Sequence, residues 1–321
     1  MHKTYDPDHY RVVFFSSAPI GVPFLEHLAD DKRFEVVGVV TQCDKPSGRW
    51  MEMNENIIKE TAKKLIENWK LKIENCISTP TKLNPEKSEE GREFTERLKE
   101  KKPDIIVVIA YGKIIPQAIL DIPRIAPINV HGSILPKYRG ASPIQSTLLN
   151  NEKETWITIM KMDAGMDTGN MIDILRFTIP FDRTTKELID EMKNIGPKFL
   201  NDTLRKYGKK MLGEVPQKDE NATYCGKIEK ESWLINPRTD SIETIYNKYR
   251  AFSIWPKIYF MMDEKRVIIE NIKLSESIYN SNDELPLFQE KKLHPAVTDI
   301  QIKPEGKKAI SRKEFLNWYM K

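Results

Sequence analysis

Two short runs of this chain hold side chains suited to chemistry. The first is Asn129-Val-His-Gly-Ser-Ile-Leu-Pro-Lys-Tyr-Arg-Gly-Ala-Ser-Pro-Ile-Gln145, and the second is Met162-Asp-Ala-Gly-Met-Asp-Thr-Gly-Asn170. Side chains alternate along a strand, so Asn129 and His131 share one face at a strand end. An amide there donates to a developing oxyanion, and an imidazole moves a proton. Asp163 and Asp167 supply carboxylates in a glycine-punctuated loop. The set suits acyl transfer without a serine or cysteine nucleophile. Each residue also has a plainer reading. Asn129 can close a turn, and either aspartate beside glycine can form one. Spacing alone does not choose between Asp163 and Asp167. His131 stands apart from His2, His9, His27 and His294, which lie in charged or terminal contexts. It follows a buried strand and precedes Gly132-Ser133, and ligands of open α/β sheets gather at the carboxyl ends of strands.

The elements that must position these residues read as an α/β fold. Arg11–Phe15, Phe34–Val40, Ile105–Ala110 and Pro127–Val130 are apolar strand patterns. Val22–Ala29, Ile57–Trp69 and Glu90–Lys101 have helical periodicity between them. Such alternation predicts βαβ units, hence a Rossmann-like, mostly parallel sheet with helices on both faces. Trp156–Met162 and Met171–Leu175 read as a β pair finishing that sheet. Thr185–Tyr207 reads as a long helix capped by Thr184. The turn Phe15-Ser-Ser-Ala-Pro-Ile-Gly21 lacks the G-x-G-x-x-G pattern and no Walker-A run exists, which argues against NAD and ATP.

Charge with Gly and Pro breaks marks a linker after the long helix. The expected division is a catalytic domain over 1–206, a linker over 207–222 and a smaller β-rich domain over 223–321. In the last part, Ile258–Met262 and Arg266–Ile272 form a hairpin around Asp263-Glu264-Lys265. Ile300–Lys303 is a further strand, and Ser241–Phe252 and Arg312–Met320 are helices.

The chain has 321 residues, a net charge of +4 and 31% charged residues, the profile of a globular protein with a sizeable core. Cys43, Cys76 and Cys225 give neither a disulfide framework nor metal-ligand spacing. Met1–Tyr10 is too polar for a signal peptide, and no apolar run approaches membrane-spanning length, so a cytoplasmic protein is expected. Basic residues gather at Lys198–Lys210 and Lys303–Lys313. Groups of this kind are usually solvated faces, but beside a β-rich appended domain they favour nucleic-acid contact. Gln42–Met51 interrupts the βα pattern as a surface loop or as a basic arm for a large partner.

Taken together these runs resemble the formyltetrahydrofolate-dependent formyltransferase family. The likeness spans about Arg11 to Leu316 and includes Val107-Val-Ile-Ala-Tyr-Gly-Lys-Ile-Ile-Pro116, Ala251-Phe-Ser-Ile-Trp-Pro256 and Glu305-Gly-Lys-Lys-Ala309. The resemblance implies Asn129, His131 and Asp167 as the catalytic trio, with Asp167 and not Asp163 the matching aspartate. It implies that Ser133, Ile134, Leu135 and Pro136 meet the folate. Lys45, Arg49 and Trp50 would approach a tRNA acceptor end, and the C-terminal domain would be an OB-like barrel. The formyl donor implied is 10-formyltetrahydrofolate and the acceptor initiator methionyl-tRNA, handled by a monomer without a metal. The Trp255-Pro256 and Gly306-Lys307-Lys308 runs favour the tRNA-dependent branch. The alternatives are a sugar or purine-precursor formyltransferase and a formyl-folate hydrolase. Three departures stand out. Ser16-Ser17-Ala18 replaces the family's small-Gly-Thr, Lys45 replaces an arginine, and Trp50-Met51-Glu52 stands where two lysines are usual.

Overall fold

Branched and aromatic residues make Tyr10–Ser16, Phe34–Val40 and Ile105–Ile109 buried along almost their whole length. A strand buried on both faces belongs inside a parallel sheet covered by helices. The computed structural model, which describes residues 9–47, 52–71, 77–276, 285–289 and 292–319, shows that sheet. Its seven strands run in the order Met171–Thr178, Glu154–Lys161, Ala126–His131, Ile105–Ile109, Tyr10–Ser16, Phe34–Val40 and Ile77–Ser78. The five from Ala126–His131 onward pair in parallel, whereas Glu154–Lys161 joins Ala126–His131 antiparallel.

Alternation assigns the two faces of the sheet to two cores. Tyr10, Val12 and Phe14 pack into one cluster with Ile105, Val107 and Ile109, while Val13 and Phe15 pack into another with Ile106 and Val108. A β-bulge between Val12 and Val13 skips one residue of the partner strand, so Val12 pairs with Val36 but Val13 with Gly38. The extra residue flips the parity of Phe34–Val40, and Val36 and Val39 therefore reach the same core.

Helices Val22–Asp30, Ile57–Glu67 and Glu89–Glu100 connect the strands. Asn56 and Ser88 cap the last two by accepting from the Ile58 and Gly91 N–H groups. The long helix runs Thr185–Gly208, and Thr184 begins it as expected. Glu187 reaches back to accept from both the Thr184 N–H and its hydroxyl, at 2.8 Å each.

By contact the chain divides into two compact units whose sequences interleave. The first takes Met1–Ala141, Trp156–Arg176 and Asp190–Tyr224; the second takes Ser142–Thr155, Phe177–Ile189 and Cys225–Lys321. The second unit has a three-stranded antiparallel sheet of Tyr259–Met262, Lys265–Leu274 and Val297–Pro304. Its hairpin turns on Asp263 and Glu264, both at positive φ, so Lys265 already belongs to the strand. A core of Phe260, Val267, Ile269, Ile300, Ile302 and Phe315 lies beneath, with Leu148, Ile179 and Leu188 from the earlier segments. Among the described residues no helix is long and apolar enough to cross a membrane.

Candidate active site

Asn129 and His131 end the strand Ala126–His131, where Val108 and Met160 flank Asn129 in register. The loop between Lys161 and Met171 brings Asp167 against them. Asn129 Nδ2 donates to Asp167 Oδ1 at 3.1 Å, the Gly140 N–H donates to Asp167 Oδ2 at 2.8 Å, and His131 Nδ1 lies 3.6 Å from the same oxygen. The three residues implied by the resemblance are therefore gathered around one carboxylate.

The other ring nitrogen fixes the chemistry of His131. Nε2 lies 2.9 Å from the Tyr138 carbonyl oxygen in a buried setting. A carbonyl only accepts, so Nε2 carries hydrogen in either charge state. Nδ1, facing Asp167, is then the atom that gains or loses a proton. Tyr138 and Gly140 both take positive φ, and this double turn folds the Tyr138 carbonyl and the Gly140 N–H back onto the site. Neither backbone group was singled out from sequence; the Tyr-Arg-Gly step was the only signal.

The two aspartates have different work. Asp163 Oδ1 accepts from the Gly165 N–H at 3.0 Å and from the Thr168 hydroxyl at 2.6 Å, closing its own turn. Asp167 is left to face the strand end. Its loop is tied at both feet by Glu214, which accepts from Lys161 Nζ at 3.1 Å and Asn170 Nδ2 at 3.0 Å, and also from the Tyr207 hydroxyl. Burial pushes the Glu214 carboxyl up, but those three donors outweigh it and hold its pKa below 4.5. A lowered native pKa contributes stability that is full above the unfolded value and is lost as the pH falls through the native one. The unfolding-temperature gap between the wild type and Glu214→Gln is expected to be widest near neutrality and to shrink below about pH 4.5. A gap that widens on acidification would contradict this.

Of the residues expected to meet folate, Ser133 and Leu135 are buried, whereas Ile134 and Pro136 are partly exposed. The Ser133 hydroxyl donates to the Lys137 carbonyl at 2.8 Å, and its own carbonyl accepts from Thr158. Ser133 thus holds the turn, and Ile134 and Pro136 offer the side-chain surface. Lys45 lies in a short ribbon, Lys45–Ser47 paired antiparallel with Glu52–Asn54, so the loop after the second strand is hairpin-based. Arg49 and Trp50 lie outside the described residues. No cluster of His, Cys, Asp and Glu able to hold a metal occurs among the described residues.

The chain matches the formyl transferase family over residues 10–204 and the formyl transferase C-terminal domain over residues 227–319, and it belongs to that family. Its relatives include proteins named methionyl-tRNA formyltransferase. One from Caldanaerobacter subterraneus subsp. tengcongensis is 37% identical over 95% of this chain and 96% of the relative. One from Legionella pneumophila (strain Paris) is 34% identical over 95% and 94%. Among solved structures, the methionyl-tRNA formyltransferase from Clostridium thermocellum superposes with a TM-score of 0.57 at 17% identity, covering 83% of this chain and 94% of that one. HypX from Aquifex aeolicus in complex with tetrahydrofolic acid gives 0.56 at 15% identity, covering 98% of this chain and 48% of that longer one. At such identities the superpositions speak for the fold.

Proposed function

We propose that this protein transfers the formyl group of 10-formyltetrahydrofolate to the α-amino group of initiator methionyl-tRNA. The observation that carries the reading is the convergence of Asn129 and His131 on Asp167, in a chain whose relatives of nearly full length bear that name.

The amine attacks as the free base, and its pKa of about 7.7–8.0 leaves a useful neutral fraction near pH 7. A bond forms between the amine nitrogen and the formyl carbon, and the carbonyl oxygen becomes an oxyanion. Asn129 spends one N–H on Asp167 and turns the other to that oxygen. His131, protonated at Nδ1, adds positive charge beside it. Asp167, facing Nδ1, takes up the proton the amine sheds, directly or through a water. Collapse breaks the bond from the formyl carbon to the folate nitrogen, which leaves with the proton taken from the amine.

In this reading Ser133, Ile134, Leu135 and Pro136 form the wall that meets folate, Ile134 and Pro136 by their side chains. Lys45, Arg49 and Trp50 meet the tRNA acceptor end. Residues 1–206 carry the chemistry, 207–222 connect, and 223–321 contact tRNA in a cytoplasmic, monomeric protein.

The test uses labelled formyl donor with methionyl initiator tRNA, methionyl elongator tRNA, amino sugar nucleotides, and no acceptor. Label transferred chiefly to initiator tRNA is expected. Transfer to the sugar, or release of formate without an acceptor, would instead assign one of the other formyl-folate activities. The arm makes a further prediction. Arg49→Ala is expected to lower the salt slope of tRNA binding by about one, as for a lost phosphate contact. Trp50→Ala is expected to weaken binding by about 1–3 kcal/mol at an unchanged slope, as for a lost base stack. Normal tRNA affinity in both variants would remove the arm from the interface.

A further inference from the structure

The stretch from Lys209 to Tyr224 contains little regular structure, yet it touches the site from several directions. Val215 exchanges two backbone hydrogen bonds with Met171, where the Asp167 loop re-enters the sheet. The Thr223 N–H donates to the Pro136 carbonyl, its hydroxyl accepts from the Tyr138 N–H at 2.9 Å, and its carbonyl accepts from the Arg139 N–H. Thr223 thereby holds the turn that presents the Tyr138 carbonyl to His131.

Gln217 has the most specific position. Its Nε2 donates to the carbonyls of Asp167, at 2.8 Å, and Gly169, at 2.7 Å. Its Oε1 accepts from Arg139 Nε at 3.0 Å. A guanidinium only donates and a carbonyl only accepts, so these three partners admit a single orientation of the amide. Arg139 is 1% exposed and is itself held by Asp219 at 2.8 Å and by the Tyr224 hydroxyl. Asp167 sits at φ +54, a conformation that costs an L-residue about 1–2 kcal/mol and persists only where its surroundings impose it. The two hydrogen bonds from Gln217 grip the backbone at Asp167 itself and two residues beyond.

We infer that Gln217 is a positioning residue: its amide, oriented by Arg139, holds the Asp167 backbone so that the carboxylate meets Asn129, Gly140 and His131. The inference rests on the site being the formyl-transfer site proposed above. It reassigns part of the connecting segment from spacer to brace.

The test compares Gln217→Ala, Gln217→Glu and the exposed neighbour Lys218→Ala in the full-length protein. Glutamate is nearly isosteric and keeps Arg139 as a partner, but when ionised it has no hydrogen to give the two carbonyls. Both Gln217 variants are expected to lose about 10–100-fold in kcat, the scale of a misplacement near 1 Å. KM for formyl donor and tRNA should stay within about 3-fold, the range of unaltered binding contacts. Protonation returns one donor to the glutamate, so its kcat relative to wild type should rise as the pH falls. Lys218→Ala should match wild type. An independent readout is the ¹⁵N resonance of His131 Nδ1, which should shift in Gln217→Ala whatever the activity. Wild-type protein inactive on methionyl-tRNA would defeat the functional reading, and the His131 resonance would still decide this one. Unchanged kcat and an unchanged resonance, or a kcat loss that merely follows a falling unfolding temperature in both Gln217 variants, would overturn it.

Discussion

Replacement of His131 by alanine is expected to lower kcat by on the order of 10²–10⁴, the range for a lost general acid–base group at a site where charge develops. The ring is 5% exposed and bonds the Tyr138 carbonyl, so some stability is lost as well. KM for the formyl donor should change little, because the imidazole acts on the reacting atoms and not on the body of the folate. Asp167→Asn should cost about as much, for a different reason. The carboxylate accepts from Asn129 and Gly140 on separate oxygens while facing Nδ1 of His131. An amide has one oxygen, so it turns an N–H toward a donor and removes the negative charge that faces Nδ1. Both residues serve the same tetrahedral step, so the double variant should lose less than the product of the single losses. Steady-state kinetics on the four proteins, with circular dichroism to confirm folding, makes the comparison. A folded His131→Ala enzyme at near-normal turnover would rule out the mechanism.

The part of the site carried by a strand could be read from residue pattern. Two-residue alternation puts Asn129 and His131 on one face, and a buried parallel strand ends where ligands collect. The Asp263-Glu264 hairpin and the Thr184 cap were legible for the same reason, because local chemistry decides them. Choosing Asp167 over Asp163 was beyond spacing. Both precede small residues in one loop, and only the turn hydrogen bonds at Gly165 and Thr168 show which carboxylate is already engaged. Nothing in the sequence shows that the Ser133 hydroxyl donates to the Lys137 carbonyl four residues on. The bracing role of Val215, Gln217 and Thr223 left no periodic signal, since their partners lie 44 to 87 positions away (215 − 171 and 223 − 136). The helix Pro143–Leu149 and its membership of the second unit were missed for a related cause. Its burial is settled by partners such as Ile245 and Tyr246, far along the chain.

Gly169→Ala should produce the largest steric effect. Its φ is unremarkable, and space is the constraint. A Cβ at this position would lie 1.8 Å from the Lys161 carbonyl oxygen and 2.9 Å from the carbonyl carbon, so backbone must move. Lys161 is also the strand residue whose N–H bonds the Asn170 carbonyl, and its side chain is tied through Glu214 to Asn170. The strain therefore cannot be absorbed at that end of the loop without breaking the sheet edge. It is relieved instead toward Asp167, two residues back, and takes with it the Gly169 carbonyl that Gln217 grips. The expected stability loss is about 1–3 kcal/mol, as for other overpacked sites. A carboxylate displaced by about 1 Å implies a kcat loss near 10²-fold. Gly213→Ala is the matched control, because a Cβ there meets nothing within 4 Å. Denaturant midpoints and turnover measured on both variants separate loop geometry from a generic intolerance of added methyl groups. If Gly169→Ala keeps wild-type turnover, then either the loop yields without moving Asp167 or the carboxylate does not need its place, and the second outcome would remove Asp167 from the mechanism.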